Sequence, residues 1–402
     1  MIVALMAATS ADLVFFSTFI WNPTFVEAGA ALALLGAWQA WRSSDSRWWL
    51  AASAGLTLAA QAQIAAAVLV IPLSVAYLLD LRRSPASARI RTVRWGVAAA
   101  AVIIASYLPV IVQEVTGGFS ELRGIASYVS SPSGSVEVGP VARLLFAAIR
   151  IPAWPLTGWP YYELRPGVAL ALAVFLALAV AWSLLLLRTW RHRVAISGGE
   201  VPIDDERHGF ALLVGGLVLI VITLGLGLRG VSELNVTMIE QYHTDADPFV
   251  LVAAGVTLGA IWNAGRGGWA QGIRRAATIL VVAAFLAFNA AHWPPVTPAG
   301  SWTDAQAAAA RIERDAAGSR IALVPLFAAK GTDAYVYPLL RDGITTVAPE
   351  EASTVVLLCD AMWIKVGCDG YEELDWLRYG EEGRGLRLID SFEPAPDKVM
   401  FV

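Results

Sequence analysis

Charge is what this 402-residue chain has least of: Asp, Glu, Lys and Arg make up 15% of it, against 57% hydrophobic residues. Soluble domains carry about 25% charged residues, so the balance points away from a soluble protein and toward one that crosses a membrane several times. The net charge of −4 hides a segregation of basic from acidic residues along the chain. No basic cluster with interleaved stacking aromatics occurs, which excludes nucleic acid as an expected partner. No repeat of solenoid type is visible. No basic residue precedes Arg42, so the basic start of a secretory signal is missing. The opening Met1-Ile2-Val3-Ala4-Leu5 is expected to lie in the middle of something longer. Cysteine is confined to Cys359 and Cys368.

Apolar sequence fills the space that charge leaves. A membrane-crossing helix needs about 17–25 mostly apolar residues. Runs of that length, or nearly so, cover 1–20, 24–41, 49–64, 65–81, 95–113, 167–187, 210–228, 248–263 and 276–291, so nine spans are expected. The stretch 49–81 reads either as one long bent helix or as two short ones meeting near Gln61-Ala62-Gln63. Arginines at both ends of the stretch favour two. The 16 tryptophans suit interface belts.

Arginine in short loops marks the cytoplasmic side. Arg42 and Arg47 form one such loop, and Arg82, Arg83, Arg89, Arg91 and Arg94 the next. Arg188, Arg191, Arg193 and Arg207 follow, then Arg266, Arg274 and Arg275. Alternate segments are sparser, with Arg123, Arg143, Arg150 and Arg165 spread over 114–166 and Arg229 alone. Asn22, Gln63, the segments 114–166 and 229–247, and everything after His292 are then expected outside. Nine spans starting inside end outside, which agrees. So do the two cysteines, which would lie where a disulfide persists; a pair of free buried thiols is the alternative.

Three regions are expected: a transmembrane domain at 1–291, a stiff proline-rich linker at 292–301, and a small extracytoplasmic α/β domain at 302–402. In the last, helices are predicted at 302–317 (capped by Thr303 or Asp304), 332–341 and 371–379. Strands are predicted at 320–326, 353–358, 386–389 and 399–402. This domain has no glycine-rich phosphate loop after a strand, and no chemistry is assigned to it. The segment from Pro152 to Tyr162 mixes tryptophan, tyrosine and proline. It reads as a surface segment anchored among headgroups, or as an aromatic wall for a lipid chain or sugar ring.

The Trp21–Glu27 segment is the first place to look for a site. Asn22-Pro23 is a sound helix start, Trp21 suits an interface anchor, and Glu27 falls one turn inside an apolar helix. An unpaired ionisable group at that depth costs about 2.5–3.5 kcal/mol, so it faces a partner or a cavity.

The run Ser10…Phe15-Phe16-Ser17…Ile20-Trp21-Asn22-Pro23, the span ending in Arg42, and Gly55-Leu56-Thr57-Leu58-Ala59-Ala60-Gln61-Ala62-Gln63 leading to Pro72 resemble the GT-C membrane glycosyltransferases. Among these the chain looks most like the bacterial relatives of the dolichyl-phosphate-mannose protein mannosyltransferases. Cys359-Asp360 followed by Cys368 in an outside α/β tail also fits that group. The resemblance implies a mainly α, polytopic fold in the cytoplasmic membrane. It implies transfer of a hexose or pentose from a polyprenyl-phosphate donor to a glycan, lipid or protein acceptor on the outer face. A carboxylate on the first outside loop acts as general base in such enzymes, and cations, polar groups or a divalent metal steady the leaving phosphate. By position that loop and its acid would precede Met1, so the catalytic residue itself is unassigned.

Several residues are candidates for binding substrate. Asn22 stands where aminoarabinose transferases of lipid A carry an Asp, and Gln63 near where they place a Lys. Glu27 lines the donor cavity, or snorkels, or pairs with another helix. Asp12 contacts acceptor or metal, or is a plain surface acid. Gln61 and Gln63 bind sugar hydroxyls or phosphate, or cap helix ends. In the cluster Glu240, Tyr242, His243, Asp245 and Asp247, His243 with Glu240 has a spacing that can hold a cation. Asp247-Pro248 reads as a helix cap. Arg150 and Arg165 flank the aromatic segment and are the best candidates for phosphate. A transporter or flippase of lipid-linked sugar and a non-catalytic accessory protein are the competing classes. Transporters carry charges at mid-membrane and paired repeats, whereas the polar residues here gather at helix ends.

Overall fold

The computed structural model describes residues 1–11, 13–14, 24–120, 122–123, 139–157, 172–174, 176–185, 187, 205–227, 243–264, 268–291, 293, 302–325, 332–360, 388–395 and 398–402. The chain divides between Pro294 and Pro295 into two compact units.

The first unit is built from helices: α1 (Ile2–Thr9), α2 (Thr24–Ser43), α3 (Trp48–Ala62), α4 (Val70–Arg83), α5 (Ala86–Ser106), α6 (Leu108–Thr116), α7 (Pro140–Thr157), α8 (Asp205–Gly227), α9 (Asp247–Asn263) and α10 (Trp269–Ala291). Alanine and leucine dominate these stretches and lose little side-chain freedom on becoming helical. Four helical stretches among the described residues are long and apolar enough to cross a bilayer: Ile64–Arg83, His208–Leu226, Thr244–Asn263 and Trp269–Ala291. The pair α5 and α6 makes a fifth if counted as a single bent span.

Nine spans are therefore not reached among the described residues, for identifiable reasons. Helix α3 has 15 residues. At 1.5 Å each that is about 22 Å, short of a hydrocarbon core of about 30 Å. Helix α2 has 20 residues, but Glu27, Gln39 and Arg42 dilute its apolar character. The runs 1–20 and 167–187 lie partly outside the described residues. The run 95–113, expected to form one span, bends by 56° after Ser106. Pro109, at the start of α6, has no N–H with which to continue the ladder of α5. The stretch 49–81 divides at Gln63, whose backbone is extended (φ −149°, ψ 119°). A 3-10 turn, Ile64–Leu69, then leads into α4.

The tightest seam joins α2 to α3. Gly29, Ala33, Gly36 and Ala40 face Ala52, Gly55 and Ala59 in antiparallel register. A Cβ on Gly29 would stand 2.6 Å from the Ala59 nitrogen and 2.7 Å from the Gly55 oxygen. One on Gly36 or Gly55 would press on the backbone nitrogen of Ala52 or Ala33. Small residues at this spacing let apolar helices approach backbone to backbone, where van der Waals contact rather than hydrophobic burial holds them. Around the seam, Val26, Leu56, Leu69, Ile151, Leu217, Ile220, Phe249 and Val250 form the main core.

Where α2 ends and α3 begins, several buried polar groups are paired, while Trp41 Nε1 has no hydrogen-bond partner among the described residues. Asp80 is buried at 3% exposure and accepts from Trp49 Nε1 at 3.0 Å and from Arg83 Nε at 2.9 Å. The Arg83 guanidinium lies 3.7 Å from the centroid of the Trp41 ring and donates to the Trp41 carbonyl. Thr92 Oγ1 joins Ser46 Oγ at 2.8 Å and Ser84 Oγ at 3.3 Å, and Tyr77 donates to the Thr92 carbonyl at 3.2 Å. Two loops and four helix ends are clasped by this network.

The second unit has α11 (Trp302–Ala316), β1 (Ile321–Pro325), α12 (Asp333–Arg341), β2 (Thr354–Asp360), β3 (Ser391–Ala395) and β4 (Lys398–Phe401). The sheet order is β1-β2-β4-β3. Strands β1 and β2 are parallel, with α12 in the crossover, and β4 runs antiparallel to both its neighbours. Ala305, Ala308, Ala309 and Ile312 of α11 and Leu339 of α12 pack on Ile321, Val356, Leu358 and Met400. Two sequence expectations change. Thr303 and Asp304 lie inside the first turn of α11, which begins at Trp302, rather than capping it. Leu388–Asp390 are not strand, and β3 begins at Ser391; Leu388 and Ile389 are exposed, and the packed apolar residue is Phe392. The predicted helix 371–379 falls outside the described residues.

Candidate functional site

At the opposite end of the first unit, where α2 starts and α3 stops, polar side chains are buried without equivalent pairing. The chain enters α9 through His243 and a 3-10 turn, Thr244–Ala246. His243, Thr244, Asp245 and Asp247 have exposures of 0%, 0%, 1% and 0%. The turn packs on α2 and on the Ile64–Leu69 turn. Among the described residues, both ring nitrogens of His243, the Thr244 hydroxyl and Asp245 Oδ2 have no hydrogen-bond partner. Leaving such a group unsatisfied costs about 1–3 kcal/mol. Asp247 is the first residue of α9, not its cap: the cap position is Ala246 and no side chain bonds there. Pro248 follows, as Pro does in a first turn.

Arg150 comes to this place from α7. It is fully buried, and its guanidinium carbon lies 6.0 Å from the centroid of the Phe146 ring and 5.9 Å from that of Trp154. These rings sit one turn before and one turn after it, so the helix itself supplies two aromatic flanks. Burial first, and the Arg150 charge second, push the His243 imidazole down to about 3 from its ordinary value. At neutral pH the ring is uncharged, able to donate through one nitrogen and accept through the other.

The far end of α7 is pinned. Ser10 Oγ donates to the Pro155 carbonyl at 2.9 Å, and Asn289 Nδ2 to the Leu156 carbonyl at 3.2 Å. Asn289 Oδ1 accepts from the Ala11 N–H at 2.8 Å. Carbonyls left free at the end of a helix containing Pro152 and Pro155 thus find partners on α10 and just beyond α1. Ile151–Pro155 are buried, so this part of the aromatic segment is core rather than a headgroup-anchored surface stretch.

Of the residues expected in the site, Arg150 and His243 are both fully buried, and the Arg150 charge acts on the His243 imidazole. Glu27 is half-buried in the first turn of α2, the helix against which the 244–246 turn packs. Gln61 points elsewhere, exposed and donating to the Ser106 carbonyl at 3.0 Å, which makes it a helix-end cap. Gln63 is the break between α3 and the following turn. Arg123 donates to the Gly118 and Phe119 carbonyls. Asp12, Asn22, Arg165 and Glu240 lie outside the described residues, as does Cys368. Cys359 is disulfide-bonded. Among the described residues no three His, Cys, Asp or Glu side chains gather as metal ligands. Thr244, Ser10 and Asn289 were not anticipated; the one sequence signal for Asn289 is an amide in the last turn of an otherwise apolar helix.

The fold thus belongs to the helical membrane proteins with a small α/β unit. No protein-family model, curated protein or solved structure matches the chain.

Proposed function

We propose that this chain is a GT-C-like glycosyltransferase of the cytoplasmic membrane, moving a sugar from a polyprenyl-phosphate donor to an acceptor at the outer face. The observation that carries the reading is the fully buried Arg150, whose charge acts on the equally buried His243. A guanidinium is the side chain best shaped for a phosphate. A neutral imidazole beside it can pass a proton or hold a hydroxyl, and Asp245 and Asp247 in the next turns offer acceptors to sugar hydroxyls. The outer face follows from the arginine bias of the loops, and the extracytoplasmic place of the second unit from the same bias. A divalent metal would have to draw on residues beyond those that gather here.

Position within the helix favours the enzyme over a transporter. The buried polar groups stand at the N-terminal end of α9, not at its middle, where transported substrates are held. The test is binding of a polyprenyl-phosphate hexose by the purified chain, followed by transfer of its radiolabelled sugar in proteoliposomes. Arg150→Met should weaken donor binding about tenfold or more, the loss of a charge-assisted contact. Unchanged binding in that variant, or uptake of the lipid-linked sugar without transfer, would sink the proposal.

A further inference from the structure

The other end of the helical unit carries an independent feature. Arg42, Arg47, Arg82, Arg89, Arg91 and Arg94 are all exposed. The hydroxyl clasp of Ser46, Ser84 and Thr92 holds their two loops against each other. The Arg47 guanidinium carbon, 5.9 Å from the centroid of the Trp95 ring, ties the first loop to α5 a second time. Within these two loops and the helix ends that carry them the acids are Asp80, taken up by Arg83 and Trp49, and Asp45, half-buried, which accepts the Arg47 backbone N–H at 3.1 Å. The residue type is also selective, for Met1–Pro294 contains no lysine, and Lys330, Lys365 and Lys398 all lie later in the chain. Arginine differs from lysine in presenting a planar fork to phosphate.

We propose that these two clasped loops form a docking surface for the phosphates of anionic phospholipid headgroups. A lipid rather than free phosphate is the occupant because of what flanks the arginines. Leu78, Ile90, Val93 and Val97 are exposed at 53%, 66%, 43% and 65%. They sit on the same helix ends, α4 and α5, where acyl chains attached to the bound phosphate would lie. The stretch Ile64–Arg83, long and apolar enough to cross a bilayer, closes with Arg82-Arg83, so these charges fall at headgroup depth.

The experiment uses the full chain in nanodiscs of phosphatidylcholine with graded phosphatidylglycerol, and native mass spectrometry to count retained lipids. Wild type should retain phosphatidylglycerol in preference to phosphatidylcholine. Each arginine exchanged for glutamine in Arg82→Gln, Arg89→Gln and Arg91→Gln should lower that preference about fivefold. All three positions are exposed, so the variants keep the fold. The matching Arg→Lys triple should lose part of the preference because charge remains and the fork is gone. Millimolar inorganic phosphate should leave it unchanged. No preference in wild type, an undiminished one in either triple, or displacement by inorganic phosphate would each overturn the proposal.

Discussion

Asp80 and His243 are both buried at helix ends of the same unit, yet they are treated oppositely. Asp80 accepts from Trp49 and Arg83, and the neighbouring hydroxyls of Ser46, Ser84 and Thr92 join one another. Among the described residues His243 has no hydrogen-bond partner at either nitrogen, nor has Thr244 at its hydroxyl. A fully satisfied network fixes geometry, whereas a buried polar group left short of partners is a standing cost. Folds keep such costs where function needs the group. The Asp80 network beneath the exposed arginines is accordingly read as a structural clasp and the Arg150–His243 end as the catalytic site of the proposed reaction.

Four experiments would break or sharpen that contrast. The largest effect is expected from Asp80→Ala, which strands the Arg83 guanidinium and the Trp49 N–H. It should cost about 3 kcal/mol, seen as a lowered thermal midpoint in detergent. Next comes Gly55→Val, which forces α2 from α3 along the seam both ends share. A loss of about 2 kcal/mol is expected, and a variant as stable as wild type would show the seam to be looser than its backbone contacts imply.

His243→Phe should behave unlike either. Removing a buried group that lacks partners leaves stability within about 1 kcal/mol of wild type, or raises it, while donor binding falls. Destabilisation matching that of Asp80→Ala would erase the distinction between the ends. The same histidine predicts an acid limb. Its folded-state value of about 3 lies below the ordinary 6.5, so folding excludes a proton that the unfolded chain binds. Its contribution to stability is complete above pH ~6.5 and is lost as pH falls toward ~3. His243→Phe should flatten that limb in a pH series of thermal midpoints.

The smallest effect belongs to the second unit. The Asp390 carboxyl is held below its usual range, chiefly by its hydrogen bond from Arg311. The stability it adds is present above pH ~4 and lost as pH falls through the depressed value. The pair is exposed, so Asp390→Asn should lower the neutral thermal midpoint slightly and leave the midpoint below the depressed value unchanged.

Much of the helical pattern was legible before any coordinates. Runs of apolar residues located α2 and α9 closely and the C-terminal ends of α8 and α10, whose starts at Asp205 and Trp269 lie earlier than the runs 210–228 and 276–291, because a run that must bury itself in lipid has few ways to satisfy its backbone other than a helix. The division at Gln63 could be read from arginines at both ends of 49–81. The bend after Ser106 was signalled by Pro109 but overridden by the apolar run around it. The span count was not legible: α3 is apolar enough but too short, and its role is to pack on α2 through glycine and alanine. In the second unit the first two strands were foreseen, while the apolar pair Leu388-Ile389 misled because an exposed pair looks the same in sequence as a buried one.

Glu27 was singled out as a charge inside an apolar helix, His243 for its spacing from Glu240, and Arg150 for its place beside the aromatic segment. Their mutual placement was not legible, since residues 150 and 243 are brought together only by helices packing across the unit. The sequence by itself determined that the chain is greasy, helical and asymmetrically charged, for these follow from composition and local period. Only the tertiary structure decided which polar groups found partners. Hydrogen bonding between distant segments depends on where helix ends meet, so Gln61 became a cap, Asp80 a clasp and His243 a group held ready beside Arg150.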